Sequence, residues 1–196
     1  MTAAVRTLEA GGLVVFPTET VWGLGCRLDR PRAIERIFTL KGRDPDKPLQ
    51  VLLGDPSMLG EVAVDVQRAE PLAHLMPGPL TVVLPARDDL PDLGGGPGTV
   101  GVRVPDHPAA LRIVREAGPT AATSANRSGE PTPITLEAVR AIFGDEVGAY
   151  VDAGPGPAGV PSSVLDLTGE VPILLREGAV AAADLEAALG RSVGHA

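Results

Sequence analysis

Short apolar runs of strand type alternate with amphipathic helical stretches along the whole chain, and this alternation limits the possible folds more than any other feature. A helix over residues 2–10 stops at Gly11-Gly12, and residues 13–16 form a buried strand. Residues 33–40 place Ile34, Ile37, Phe38 and Leu40 on one helical face, which ends at Gly42. Residues 49–53 form a strand. The stretch 57–76 reads as helical, broken near Pro71 and ended by Pro77-Gly78-Pro79. Strands over 80–85 and 99–105 are separated by the turn-rich stretch 88–98. A helix over 108–117, a strand over 120–123, a helix over 135–143 capped by Thr135 and a strand over 150–153 follow. Residues 164–167 and 171–176 make a hairpin around Thr168-Gly169, and a helix over 181–189 closes the series. Hairpins mixed with crossover helices require a mixed sheet, so the expected fold is a single α/β domain over residues 1–196.

Composition excludes several classes. At 44% hydrophobic and 21% charged residues, 196 residues suffice for a real core and do not describe a disordered chain. Cys26 is the lone cysteine, which removes disulfide frameworks and zinc fingers. Aromatics at 3% and a net charge of −8 disfavour a stacking platform for nucleic acid. Arg6 and Glu9 interrupt the N-terminus, and the apolar run Leu13 to Phe16 is far too short for a signal core or membrane span. A cytoplasmic protein with no membrane partner is the expectation. The charge is unevenly spread: residues 129–186 hold ten acids and two bases, whereas acids and bases nearly cancel over 1–128. The only lysines, Lys41 and Lys47, fall within one seven-residue stretch of a chain that otherwise uses Arg.

Two G-x-G-x-x-G matches, Gly96 to Gly101 and Gly154 to Gly159, contain proline and lead into strands, so neither is a dinucleotide fingerprint. His74, His107 and His195 lack partner spacing for a metal or a triad. The loop Lys41-Gly42-Arg43-Asp44-Pro45-Asp46-Lys47-Pro48 is either a solvated basic loop or a polyphosphate cradle, and the clustering of lysine favours the cradle. Along residues 99–105 the valines Val100, Val102 and Val104 share one face, and Thr99, Gly101 and Arg103 the other. That second face offers a hydroxyl, a bare backbone and a guanidinium to a small carboxylate or phosphate. Hydroxyl-rich strand ends at Pro17-Thr18-Glu19-Thr20, Thr123-Ser124-Ala125-Asn126 and Pro161-Ser162-Ser163 point to one crevice beyond the strand ends.

Taken together, Pro17 to Gly25, Lys41-Gly42-Arg43, Lys47-Pro48-Leu49, Pro77 to Thr81, Thr99 to Pro105, Ser124 to Gly129, Ser162-Ser163-Val164 and Leu175-Arg176 closely resemble the YrdC-like family, in order, over about residues 5–180. The resemblance implies a YrdC/RibB-like fold, a twisted open sheet with flanking helices and a concave basic cavity. It implies synthesis of threonylcarbamoyl-AMP and pyrophosphate from L-threonine, bicarbonate and ATP, with Mg2+ on the phosphates and not held by a protein motif. A downstream enzyme that transfers the threonylcarbamoyl group to tRNA would consume the product. Carried over, Thr20, Arg103 and Ser162 contact threonine, with Arg103 on its carboxylate. Lys41 and Arg43 are the catalytic phosphate-side cations. Arg43, Lys47, Thr99, Ser124, Asn126, Thr132 and Arg176 contact ATP.

Trp22, Thr123 and Ser163 depart from frequent family choices, and Leu52 occupies a position that is polar in some relatives, so no contact is carried over there. Carbamate attack on the α-phosphate brings two anions together, which is why cations are needed and a covalent nucleophile is not. The alternatives are a non-enzymatic RNA-binding module, for which direct tRNA binding is expected to be weak, or another carbamoyl-adenylate-forming enzyme of the same fold. Hydrogenase-maturation relatives carry zinc fingers and an acylphosphatase domain, for which this length and one cysteine leave no room. The expectation is the short, catalytic-domain form.

Overall fold

Glycine and proline cut the chain into short elements, and ten of these pair into one sheet in the computed structural model, which describes residues 2–196. The strands are β1 (Val14–Pro17), β2 (Trp22–Arg27), β3 (Gln50–Leu52), β4 (Leu80–Pro85), β5 (Thr99–Arg103), β6 (Thr120–Ser124), β7 (Ala149–Tyr150), β8 (Ser163–Asp166), β9 (Ile173–Arg176) and β10 (Gly194–His195). Their spatial order is β10-β9-β8-β4-β5-β3-β6-β2-β1-β7. Pairing is antiparallel for β1/β2, β2/β6, β3/β6, β4/β5 and β8/β9, and parallel for β1/β7, β3/β5, β4/β8 and β9/β10. The sheet is thus mixed, as the alternation requires. The helices are α1 (Thr2–Glu9), α2 (Pro31–Lys41), α3 (Pro108–Ala117), α4 (Leu136–Phe143) and α5 (Ala182–Leu189).

The caps explain the helix bounds. Pro31 and Pro108 open α2 and α3 at positions where a missing N–H costs nothing. The Thr135 hydroxyl accepts from Ala138 N at the start of α4. Gly42 ends α2 in the left-handed region at φ 59°, and Arg43 N returns to Phe38 O at 2.9 Å. The stretch expected as a broken helix is instead two 3-10 segments, Pro56–Glu61 and Val66–Leu75. Pro71 lies inside the second, and single-turn bonds such as Met76 N to Ala73 O at 3.1 Å close them. Strands β2 and β10 were not anticipated, and the strand expected at 150–153 is Ala149–Tyr150.

The two faces of the sheet are covered unequally. One face carries Val51, Val82, Val100, Val102, Leu165 and Leu174 beneath residues of α2, α4, α5 and the 3-10 segments. On the other, α1 and α3 lay Leu8, Ile113 and Val114 over Val14, Phe16, Leu52 and Ala122. Those two helices reach only the β1–β3 side, and the same face of β5, β4, β8 and β9 is left open. Leu52, polar in some relatives, lies fully buried in this α1/α3 core.

The β1/β2 hairpin is close-packed around the Phe16 ring. A Cβ at Gly23 or Gly25 would approach the Phe16 ring to 3.1 Å, so the two glycines make room for an aromatic side chain that is fully buried. We expect Phe16→Ala to lower unfolding free energy by about 3–5 kcal/mol, read as a fall in the urea midpoint at unchanged slope.

Candidate active site

The open half of the second face is the floor of a cavity of about 730 Å3, within the usual range for small-molecule sites. The register builds it row by row. Ala122, Gln50, Gly101, Val83 and Asp166 lie opposite one another across β6, β3, β5, β4 and β8. Thr81, Val164 and Arg176 follow in the next row. The alternation read from residues 99–105 holds: Thr99, Gly101 and Arg103 line the cavity, while Val100, Val102 and Val104 are buried in the opposite core. At Gly101 the nearest atom to an added Cβ is Thr81 Cγ2 at 3.4 Å, so the backbone itself forms floor here.

Three guanidiniums face this space. The Arg103 side chain is 3% exposed, donating to Glu19 Oε1 at 2.7 Å, Thr20 Oγ1 at 2.9 Å and Gly78 O at 3.2 Å. Burial lowers its pKa and the Glu19 carboxylate works against that shift. Glu19 Oε2 is buried and accepts from no donor among the described residues. Arg176 donates through Nε to Ser162 O and through its terminal nitrogen to Ser162 Oγ at 3.1 Å. Arg43 donates to the carbonyls of Lys47 and Pro48 at 2.7 and 2.9 Å. Burial lowers the pKa of Arg43 and Arg176, and each is further lowered by a neighbouring guanidinium, Arg176 for Arg43 and Arg103 for Arg176. Only Glu19 forms an ion pair with any of the three among the described residues, so the row carries net positive charge.

Seven of the eleven residues assigned from sequence line the cavity: Arg43, Thr99, Arg103, Ser124, Thr132, Ser162 and Arg176. Thr20 stands behind Arg103 as its acceptor. The other three do not reach the wall. Lys41 is 2% exposed, and its ammonium points into the protein, donating to Ser124 O, to Asn126 O at 2.5 Å and to Asn126 Oδ1 at 3.3 Å. Asn126 spends its amide on the turn, with Oδ1 accepting from Ser124 Oγ and Nδ2 donating to the carbonyls of Arg127 and Glu130. Lys47 is exposed and off the wall. The cradle of three cations is therefore one wall cation, Arg43, with a buried lysine that pins the 124–130 turn. The left-handed turn at Gly42 sends the two neighbouring side chains in different directions.

Glu19, Gln50 and Thr81 carry weight in the site without having been assigned. Glu19 and Thr81 sit inside the stretches Pro17 to Gly25 and Pro77 to Thr81, whereas Gln50 gives no signal beyond its place at the start of a strand. Glu130 and Asp166 also line the cavity, so the acidic half of the chain does contribute to it. Asp166 Oδ1 is occupied by Thr168 N and Oγ1. Burial pushes the Cys26 thiol up to about 12, which keeps it protonated and unreactive at neutral pH. His107 caps α3 by accepting from Ala109 N and reaches Pro155 O at 3.0 Å, a structural role that ties down the 154–159 loop.

Burial and the nearby Arg43 lower the Lys41 pKa to about 7 from 10.5. Between those values the unfolded chain holds a proton that the folded chain has released, so folding gains from Lys41 as pH rises through that window. Lys41→Met keeps the stem and leaves the three acceptors without their donor. It should lower stability at pH 7 by about 2 kcal/mol in chemical denaturation. The gap to the unsubstituted protein should widen between pH 7 and 9.

A family model described as telomere recombination (Sua5/YciO/YrdC) matches residues 6–178. The chain is 40% identical over 192 residues to threonylcarbamoyl-AMP synthase of Bacillus subtilis (strain 168), covering 95% of this chain and 56% of that protein. It is 38% identical over 191 residues to a putative threonylcarbamoyl-AMP synthase of Mycobacterium tuberculosis (strain ATCC 25618 / H37Rv), covering 96% of this chain and 88% of that one. Among solved structures, Sua5 of Pyrococcus abyssi complexed with L-threonine superposes with a TM-score of 0.91 at 39% identity, over 97% of this chain and 57% of that one. Escherichia coli YciO gives 0.81 at 26% identity, over 91% and 88%. The chain thus spans little more than half the length of the Bacillus and Pyrococcus relatives and most of the mycobacterial and YciO ones. With the family model covering most of its length, the chain belongs to the Sua5/YciO/YrdC family.

Proposed function

We propose that the cavity takes ATP as its Mg2+ complex, together with L-threonine and bicarbonate, and forms threonylcarbamoyl-AMP, pyrophosphate and water. The observation that carries this reading is the row of three guanidiniums in one cavity, of which only Arg103 has a carboxylate partner among the described residues. Two kinds of anion must meet there. A small carboxylate fits Arg103, whose neighbours Thr20 and Ser162 supply hydroxyl oxygens. A polyphosphate fits Arg43 and Arg176, with Thr99, Ser124 and Thr132 around the nucleoside. The relatives at 38–40% identity are named for this reaction, and one solved neighbour holds L-threonine.

In this reading threonine's amine and bicarbonate give a carbamate, whose oxygen attacks the α-phosphorus in line while the bond to pyrophosphate breaks. The reacting partners are both anions, and fixed guanidiniums offset their approach and the charge growing on pyrophosphate. Lys41 and Asn126 act through the turn that carries Ser124, and Lys47 through the carbonyl that holds Arg43. In this reading Mg2+ arrives with the nucleotide and sits on its phosphates. The product would pass to an enzyme that transfers the threonylcarbamoyl group to tRNA. Direct contact with tRNA would be weak at a net charge of −8. We place the reaction in the cytoplasm; among the described residues no helix is long and apolar enough to cross a membrane.

Purified protein should release pyrophosphate from MgATP only when L-threonine and bicarbonate are both present. Release without threonine, or none with all three, would refute the proposal. Arg43→Ala should reduce turnover by about 100-fold with the melting curve preserved.

A further inference from the structure

The hydroxyls beside the guanidiniums have protons whose directions the hydrogen bonds determine. With the Gln50 amide oxygen turned to Thr81 Oγ1 at 2.8 Å, an atom that can only accept, the Thr81 proton points at Gln50. Thr81 Oγ1 also lies 3.0 Å from Ser162 Oγ. With its own proton spent, Thr81 can only accept there, and the Ser162 proton must point at Thr81. Ser162 Oγ accepts from Arg176 on another side at 3.1 Å. One lone pair remains, on a side chain that lines the cavity.

The same ordering recurs at Thr20. Thr18 Oγ1 donates to Val21 O at 2.7 Å, so its 2.8 Å contact with Thr20 Oγ1 carries the Thr20 proton. Thr20 Oγ1 then accepts from Arg103. Both hydroxyls are backed by an arginine, have their protons drawn away, and are left as acceptors. Glu19 Oε2, the free oxygen of Arg103's partner, is a third acceptor without a donor.

We propose that Thr81 is a positioning residue for the amino-acid substrate: by taking the Ser162 proton it leaves Ser162 Oγ able only to accept, which selects the amine end of the amino acid. This rests on the proposed function and deepens it. A carboxylate belongs on the guanidiniums, and the only complement to hydroxyls fixed as acceptors is a group that donates. An amine that donates a hydrogen to Ser162 keeps its lone pair free for carbon. Thr81 lines the cavity beside Ser162, and its proton is turned away towards Gln50, so its influence on the amine runs through Ser162.

The test is a set of three proteins, unsubstituted, Thr81→Val and Thr81→Ser, each checked by thermal melting. L-threonine binding is measured by calorimetry, with KM and kcat from pyrophosphate release. Valine keeps the shape of threonine and removes the oxygen, so the Ser162 proton swings into the cavity and meets the amine's hydrogens. The threonine Kd and KM should rise by about tenfold or more, with the ATP KM unchanged, and serine should restore both. The analogue with hydroxyl in place of the amine, 2,3-dihydroxybutanoate, can donate or accept, so the preference for threonine over it should shrink in Thr81→Val. An unchanged threonine Kd in a folded Thr81→Val, an equal rise for ATP, or no rescue by serine would overturn the proposal while leaving the function intact. Failure of the unsubstituted protein to bind L-threonine would overturn both.

Discussion

A guanidinium buried to 3% exposure cannot be left unpaired, and much of the site follows from how Arg103 is held. Its N–H groups reach two stretches that are far apart in sequence, the adjacent Glu19 carboxylate and Thr20 hydroxyl on one side and the Gly78 carbonyl on the other. The loop after β1, the turn before β4 and the end of β5 are thereby drawn to one point. The loop after β7 joins them, because Ala158 N and Gly159 N donate to the carbonyls of Glu19 and Thr20. Arg103 is already partnered before any ligand arrives, so a carboxylate bound there meets a pre-oriented group and does not pay to order it.

The sheet supplies the space by being covered on one face and half covered on the other. Helices α1 and α3 stop at the Leu52 and Ala122 columns, and beyond them polar residues take over on the same face. Strand β5 is the clearest case, since its valines bind the sheet to one core while Thr99, Gly101 and Arg103 remain available to ligand. Site and core are thus opposite sides of one strand, which limits how far the floor can shift without repacking the interior.

This division explains what could be read from the sequence. The period-two pattern of residues 99–105 is local, so β5 and its three cavity residues were legible without any tertiary information. The fate of Lys41 was not. Its acceptors are 83 and 85 residues away, and a lysine between a helix and a basic loop looks the same whether its ammonium faces solvent or a cage of carbonyls. Strand β2 was hidden for another reason: Gly23 and Gly25 depress strand propensity, and the Phe16 ring that makes glycine suitable there belongs to the opposing strand. Gln50 shows a third kind of gap. It becomes informative only when the β3/β5 and β4/β5 registers set it beside Thr81.

The electrostatics of the cavity are likewise a matter of placement and not of composition. The chain carries eight more acids than bases, and its acidic stretch 129–186 lends Glu130 and Asp166 to the cavity wall. Yet that same stretch supplies Arg176, and Asp166 is tied to Thr168 by two hydrogen bonds. Burial lowers the pKa of Arg43 and Arg176, and a neighbouring guanidinium lowers each further, Arg176 for Arg43 and Arg103 for Arg176, a repulsion that an anion between them would relieve. Arg103 is buried and Arg43 half-buried, whereas Arg176 is exposed, so water and salt screen its share of the repulsion. The guanidiniums of Arg43, Arg103 and Arg176 thus give this part of the cavity a positive character despite the negative charge of the whole molecule.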